Sequence, residues 1–223
     1  MCAFLRRFKR TDHRGGRVVL IAIVDYGMGN LKSVEKGFKK VSFEAVVTSD
    51  PSVIKKASGI VLPGVGAFRD CINHLKELKL IDLIYQSIEE GKPYMGICLG
   101  LQLLFTESEE FGRYQGLDII KGRVRRFPES DLKIPHMGWN QVHLLKRPPI
   151  FDSIPDNSYF YFVHSYYVEP EDSSVVAATT EYGIEFTSMI WKDNIIAMQF
   201  HPEKSQALGL KVLEGFGRLC KAA

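Results

Sequence analysis

Three short apolar runs constrain the fold more than any other feature of this chain. Val18–Val24, Gly59–Leu62 and Tyr94–Ile97 lack the apolar–polar alternation of a strand with one wet face. Strands that read this way are buried on both faces, as in a parallel sheet covered by helices. Helical patterns lie between the runs. One follows the turn Gly27-Met28-Gly29-Asn30 and continues to about Val41, and a short strand at Ala45–Val47 comes next. Asp50-Pro51 then offers an N-cap and a first-turn proline. Leu80, Leu83, Ile84 and Ile88 fall at helical spacing, with Gly91 as a stop. A further helical pattern starts at Leu99, directly after the run Tyr94–Ile97. Alternating strand–helix units predict an α/β fold with a mostly parallel sheet.

The second half has another character. Gln141–Leu145, Tyr159–His164, Val175–Thr180, Phe186–Trp191 and Ile195–Phe200 are short and rich in aromatic and β-branched residues. Turn chemistry such as Asp156-Asn157 and Lys192-Asp193-Asn194 joins them, which predicts extra antiparallel strands extending or flanking the sheet. Ala207–Cys220 reads as a closing helix. With 223 residues, no internal repeat and no low-complexity linker, residues 18–223 are expected to form a single domain. Residues 1–17, with Arg6, Arg7, Lys9, Arg10, Arg14 and Arg17, read as a flexible N-terminal extension.

Several function classes are excluded. A net charge of +3 is too small a surplus to argue for nucleic acid. No apolar run reaches the ~18 residues of a membrane span. Val18–Val24 is too short for a signal peptide, ends at Asp25 and has no small-residue cleavage site, so a cytoplasmic protein is expected. Cys2, Cys71, Cys98 and Cys220 form no zinc or redox spacing, so neither a metal, a disulfide framework nor another cofactor is expected.

Ligands of open parallel sheets bind beyond the carboxyl ends of the strands. Asp25–Asn30, Pro63–Phe68 and Gly96–Gln102 compete for that place. In Gly96-Ile97-Cys98-Leu99-Gly100 a strand runs straight into a helix, with a nucleophile-capable residue at the corner and glycines on both sides. This is the logic of the nucleophile elbow with cysteine in place of serine. A helix start would favour the thiolate, and the Leu99 amide would face a developing oxyanion. The alternative is a buried core cysteine between packing glycines. A nucleophilic cysteine needs a base. His13 lies in the extension, His74 sits in a helical run as a surface residue, and His136 and His143 have no distinctive context. His164 and His201 both end strands, so both stay open, with His201 favoured. Pro202 holds His201 extended, and residues two apart in an extended segment share a side, which sets Glu203 beside His201. Gly64 and Gly66 let the Val65 peptide turn over at low cost, as a second oxyanion donor would require, although a plain βα turn reads the same. Gly27-Met28-Gly29-Asn30 is only a partial dinucleotide fingerprint: Asp50 lies about 20 residues on, but Lys32 stands where the third glycine belongs.

Taken together these residues resemble the class I, triad-type glutamine amidotransferases. The elbow Gly96–Leu104 (GICLGLQLL) and His201-Pro202-Glu203 carry the resemblance. Within the family the pattern is most similar to the glutaminase subunits of imidazole glycerol phosphate synthases, through DYGMGN (Asp25–Asn30), PGVGAF (Pro63–Phe68), PHMGWN (Pro135–Asn140), YFVHSY (Tyr161–Tyr166) and QFHPEKS (Gln199–Ser205). Leu101 departs from the usual methionine, a volume-conserving change. The extension over residues 1–17 is not part of the family pattern.

The resemblance implies a flavodoxin-like three-layer fold and assigns roles. Cys98 is the nucleophile, His201 the base and then acid, and Glu203 the orienting carboxylate. Val65 and Leu99 give the oxyanion donors. Gly64, Gly66, Gln102, Glu110, Ser165 and Tyr166 hold glutamine, with Glu110 suited to the α-ammonium, although Glu107–Glu110 also reads as a solvated charged run. Trp139, Tyr161 and Lys204 mark the surface for a cyclase partner with a βα-barrel fold. Ammonia from glutamine passes to that partner, which makes imidazole glycerol phosphate and an aminoimidazole carboxamide ribotide in histidine synthesis. Two rivals remain: a glutaminase serving vitamin B6, purine, GMP or anthranilate synthesis, and a flavodoxin-like binding module with no activity.

Overall fold

The computed structural model describes residues 19–223. Residues 1–17, read above as an extension, lie outside the described residues, as does Val18. The first half is the expected alternation: β1 (Leu20–Val24), α1 (Leu31–Lys40), β2 (Glu44–Thr48), α2 (Pro51–Lys56), β3 (Gly59–Gly64), α3 (Phe68–Glu77), α4 (Ile81–Glu89) and β4 (Tyr94–Cys98). The Asp50 side chain accepts from Ser52 N at 2.8 Å and starts α2 with Pro51 in its first turn.

The helical pattern expected from Leu99 is corrected. α5 is a single turn, Leu99–Gln102, and the chain returns at once to strand in β5 (Phe105–Ser108), β6 (Tyr114–Gln115) and β7 (Ile120–Arg126). Leu103, Leu104 and Phe105 are all buried, so no wet face is available for a longer amphipathic helix. The remaining strands are β8 (His136–Leu144), β9 (Ser158–His164), β10 (Tyr166–Pro170), β11 (Val176–Glu181), β12 (Glu185–Lys192) and β13 (Ile195–Met198), and α6 (Gln206–Ala222) closes the chain.

The order β2-β1-β3-β4-β13 forms a parallel core, the flavodoxin-like succession. Beyond β13 the sheet continues through β12, β10, β7, β5 and β6, and β11, β8 and β9 branch from β12 by antiparallel pairings. Neighbouring residues of β1 serve opposite faces. Ala22 and Val24 pack with Ile54, Phe68, Leu75 and Ile84 of α2–α4. Ile21 and Ile23 pack with Val34 and Phe38 of α1 and Leu213 and Phe216 of α6. Helices therefore cover both faces, which explains why β1, β3 and β4 show no alternation.

The register places the chemistry. Gly64 pairs with Cys98, so the loop after β3 leaves the sheet beside the end of β4. Met198 pairs with Ile97, so Gln199–His201 emerge on the other side of Cys98.

Candidate active site

Cys98 ends β4 with φ +55° and ψ −110°, a left-handed conformation for a residue with a Cβ. Such a corner costs of order 1–3 kcal/mol and persists only where the surroundings over-determine it. Here they do. A Cβ on Gly100 would lie 1.8 Å from the Leu62 carbonyl oxygen, and one on Gly96 would lie 2.7 Å from the Gly100 carbonyl oxygen. The two glycines let three backbone segments close around the bend, which holds the buried thiol at the carboxyl edge of the sheet. The start of α5 favours the thiolate only weakly, because this helix has only four residues.

His201 and Glu203 form a buried pair. Nδ1 of His201 lies 2.8 Å from Oε1 of Glu203, and both side chains are 2% exposed. The physical reason differs from simple alternation. His201 is extended, but Pro202–Lys204 make a 3₁₀ turn that folds Glu203 back under the ring. His201 N donates to Tyr161 O at 2.9 Å, Ser205 Oγ donates to His201 O at 2.6 Å, and Tyr161 N donates to Ser205 Oγ at 3.0 Å. Burial pulls the His201 pKa down, but Cys98 and Glu203 outweigh it through charge and hydrogen bonding and push it up to about 10. Nε2 of His201 is buried without a hydrogen-bond partner among the described residues, and the ring faces the cavity that Cys98 also lines.

That cavity measures about 340 Å³ and is lined by Val65, Gly66, Cys98, Leu99, Gln102, Glu110, Val163, His164, His201 and Lys204. Glu110 turns inward instead of into solvent. Its Oε2 accepts from Phe68 N at 2.6 Å, at the start of α3. Burial raises its pKa, Asp70 adds to the rise, and the Phe68 bond opposes both. Gln102 lies against the Tyr166 carbonyl oxygen, 3.0 Å from its Nε2. Gly64, Ser165 and Tyr166 stand behind the wall. Gly64 packs against Leu99 and the Tyr26 hydroxyl, Ser165 O accepts from Phe127 N at 3.1 Å, and burial and then the nearby Glu110 charge raise the Tyr166 phenol pKa. Gly66 has φ +101°, and Val65 beside it is 39% exposed, so this loop is the open side of the cavity.

His164 also lines the cavity but is already committed. Its Nδ1 lies 2.8 Å from Tyr166 O and its Nε2 lies 2.9 Å from Nδ1 of His136. A carbonyl only accepts, so His164 carries its proton on Nδ1 and accepts at Nε2 from His136. Burial pushes His164 down to about 3 and His136 down to about 4. A neutral imidazole with both nitrogens engaged is a poor general base, which leaves His201. His136, without distinctive context in the sequence, is a buried member of this pair. It sits opposite His164 in the β8–β9 register and stacks on Phe162 and Tyr182, partners that only the strand pairing reveals. His74 is likewise no plain surface residue, since its Nδ1 lies 3.0 Å from Tyr26 O.

The three residues expected at a partner surface come together. Trp139 and Tyr161 face each other across β8–β9 with ring centroids 6.2 Å apart, and Lys204 Nζ lies 5.7 Å from the centre of the Tyr161 ring. Met137 and Trp139 are exposed on the same strand. Lys204 also lines the cavity, so this patch borders its mouth. Two further residues have a place that spacing did not indicate: Ser205, which fixes the His201 backbone, and Gln199, whose Nε2 reaches the Cys98 sulfur at 3.5 Å. Both lie within QFHPEKS, where only tertiary contacts reveal their partners. Among the described residues no group of three or more His, Cys, Asp or Glu side chains gathers as a metal site. No helix among them is long and apolar enough to cross a membrane.

Residues 22–216 match the model of the class-I glutamine amidotransferases, and the chain belongs to that family. The chain is 59% identical over 205 residues to the imidazole glycerol phosphate synthase subunit HisH of Geobacter sulfurreducens, covering 89% of this chain and 98% of the relative. It is 53% identical to the HisH subunit of Aquifex aeolicus, covering 88% and 95%. The structure of PurLQS from Thermotoga maritima superposes with a TM-score of 0.69 over 91% of this chain and 99% of that one. At 15% identity, that likeness concerns the fold alone.

Proposed function

We propose that this chain is the glutaminase subunit of an imidazole glycerol phosphate synthase, with Cys98 as its nucleophile. The observation that carries the chemical part is the strained Cys98 corner sharing one cavity with the buried His201–Glu203 pair. The relatives over nearly the whole chain support the particular synthase. A histidine held positive beside a thiol stabilises a thiolate–imidazolium pair, which is the reactive form of a cysteine nucleophile.

Glutamine enters with its α-ammonium toward Glu110 and its carboxamide toward Cys98. The thiolate attacks the carboxamide carbon, and the oxygen that becomes negative is held by the Leu99 and Val65 amides. His201 gives its proton to the departing ammonia, and a thioester remains on Cys98. Water then attacks, His201 takes its proton, the carbon–sulfur bond breaks, and glutamate leaves. Glu203 holds the ring in one orientation and stabilises its cation throughout. Free ammonia in bulk water is protonated and lost as a nucleophile, so the product is handed directly to a cyclase with a βα-barrel fold. Trp139, Tyr161 and Lys204, beside the cavity mouth, suit the docking of that partner.

The Val65 peptide is the adjustable donor on this reading. The partner with its own ligand bound turns it inward and completes the oxyanion site. The test is glutamate release by the chain alone, with the cognate cyclase, and with cyclase plus its ribonucleotide ligand. Strong stimulation only in the last case supports the reading. Full activity without the cyclase, or stimulation by the acceptor subunit of another amidotransferase, contradicts it.

A further inference from the structure

Two buried amides, Gln102 in the cavity wall and Gln199 behind it, have no part in the triad or the oxyanion donors. Gln199 is fully buried just beyond β13, and its Nε2 lies 3.5 Å from the Cys98 sulfur. Its Oε1 lies 3.0 Å from Nε2 of Gln102, which is also 3.0 Å from the Tyr166 carbonyl oxygen. The order of donors is set from one end. A carbonyl oxygen only accepts, so the Gln102 atom facing Tyr166 is the nitrogen. That nitrogen donates its second hydrogen to Gln199, so the Gln199 atom facing it is the oxygen. The Gln199 nitrogen is thereby turned to the sulfur. Flipping either amide would set oxygen against oxygen or nitrogen against nitrogen.

The His201 cation already favours the thiolate, and the sulfur gains from a further donor. The Val163 carbonyl oxygen lies 3.9 Å from the sulfur, an acceptor that favours the neutral thiol. The helix after Cys98 is one turn long and adds little. We propose that Gln199 is a further catalytic residue, an N–H donor to the Cys98 sulfur that favours the thiolate, held in that orientation by Gln102 and the Tyr166 carbonyl. The inference rests on Cys98 being the nucleophile. A hydrogen bond to the charged form lowers a thiol pKa. The same N–H serves twice: it stabilises the attacking thiolate, and it stabilises the sulfur when the thioester carbon–sulfur bond breaks and the electron pair returns to it. It also reassigns Gln102. Both of its N–H groups are used, so only its Oε1 remains for glutamine, as an acceptor.

The experiment reads the thiol without needing glutamine. The full chain is alkylated with iodoacetamide over a range of pH, and modification of Cys98 is followed by peptide mass spectrometry. The other titratable or charged groups around the thiol are His201 with Glu203, His164, Glu110 and Lys204 along the cavity, and Tyr26 and Cys71 toward α3. All are retained in the variants, so a difference belongs to the two amides. Gln199→Met removes the donor at similar volume. It is expected to move the alkylation midpoint up by about one pH unit, which is about tenfold less thiolate at any pH well below the midpoint. Gln102→Met leaves the donor but frees it to rotate, and is expected to move the midpoint the same way by less. A Gln199→Met midpoint equal to that of the unaltered chain overturns the proposal, even if glutaminase activity is lost. Should Gln199→Met not fold, the unaltered chain labelled with ¹⁵N-glutamine gives the answer. The Gln199 amide protons should shift as the thiol ionises, and not do so in Cys98→Ala. Amide protons that stay still through that ionisation overturn it. Retained glutamine hydrolysis by Cys98→Ala would instead remove the nucleophile assignment, leaving the alkylation result readable on its own.

Discussion

The two sides of the cavity are built to different standards. On the β4–β13 side, Cys98 is buried at a backbone corner closed by Gly96 and Gly100, and the His201 backbone is held by both Tyr161 and Ser205. On the β3 side, Val65 is 39% exposed next to a glycine at φ +101°, and its carbonyl accepts a long hydrogen bond from the Cys71 thiol, at 3.8 Å. On the proposed mechanism the first side carries the groups that must sit within tenths of an ångström of a reacting atom. On the same proposal the second carries one backbone amide whose direction decides whether an oxyanion is stabilised. A regulator that worked through the triad would have to disturb a packed interior. One that worked through the loop has only a peptide to turn, and the patch of exposed Met137 and Trp139 with half-buried Tyr161 and Lys204 borders the same cavity. Control is therefore expected on the loop side and chemistry on the other.

Removing the fixed side should have the largest effect. Cys98→Ala is expected to lower glutamine hydrolysis by at least about 10⁴-fold while leaving the circular dichroism spectrum and cyclase binding intact. Hydrolysis by a pure variant sample would show that Cys98 is not the nucleophile. The loop side should matter only when the partner is present. Val65→Pro deletes the donor and restricts the peptide. It is expected to cut stimulated hydrolysis by about 10²–10³ and unstimulated hydrolysis little. Glutamate release measured for both proteins, each with and without liganded cyclase, decides. Equal stimulation in both would show that the loop is not the adjustable part.

The patch should set affinity rather than chemistry. Trp139→Ala is expected to weaken cyclase binding by about tenfold, a loss of roughly 1–2 kcal/mol, with unstimulated hydrolysis unchanged. Unchanged affinity and unchanged coupling in a titration would move the docking surface elsewhere.

The smallest expected effect concerns the buried His136–His164 pair. Both pKa values are lowered, to about 4 and about 3, so the stability tied to their neutral forms is complete above the unfolded value near 6.5 and fades as pH falls toward those values. His201 has the opposite sign: its contribution is complete below about 6.5 and fades as pH rises toward about 10. A melting curve at pH 5 should show about 1–2 kcal/mol less stability than one at pH 7.5. His136→Gln, which removes one titration, should flatten that dependence. A melting temperature equal at the two pH values in the unaltered chain would mean the pair is not held neutral.

How much was legible in the sequence follows the same division. The parallel core was readable because strands buried on both faces are apolar throughout, and the elbow because a strand, a nucleophile and close-packing glycines are adjacent in the chain. β5–β7 and β10 were not foreseen. Phe105–Ser108 is four residues and Tyr166–Pro170 mixes polar and apolar positions, so neither offers a period to detect. His201 and Glu203 were legible as neighbours, although a 3₁₀ turn and not an extended segment brings them together. Gln199, Ser205 and His136 were silent because their partners lie far away in the chain: Cys98 is 101 residues from Gln199, Tyr161 is 44 from Ser205 and His164 is 28 from His136.

The cysteine side of the cavity is expected to be already formed in the chain alone, with Cys98 as the group that attacks glutamine. Labelling the free chain with an electrophilic glutamine analogue, and weighing and mapping the product by mass spectrometry, tests it most directly. One adduct per chain on Cys98, suppressed by excess glutamine, is the predicted result. No adduct on Cys98, or labelling that glutamine does not suppress, would contradict it.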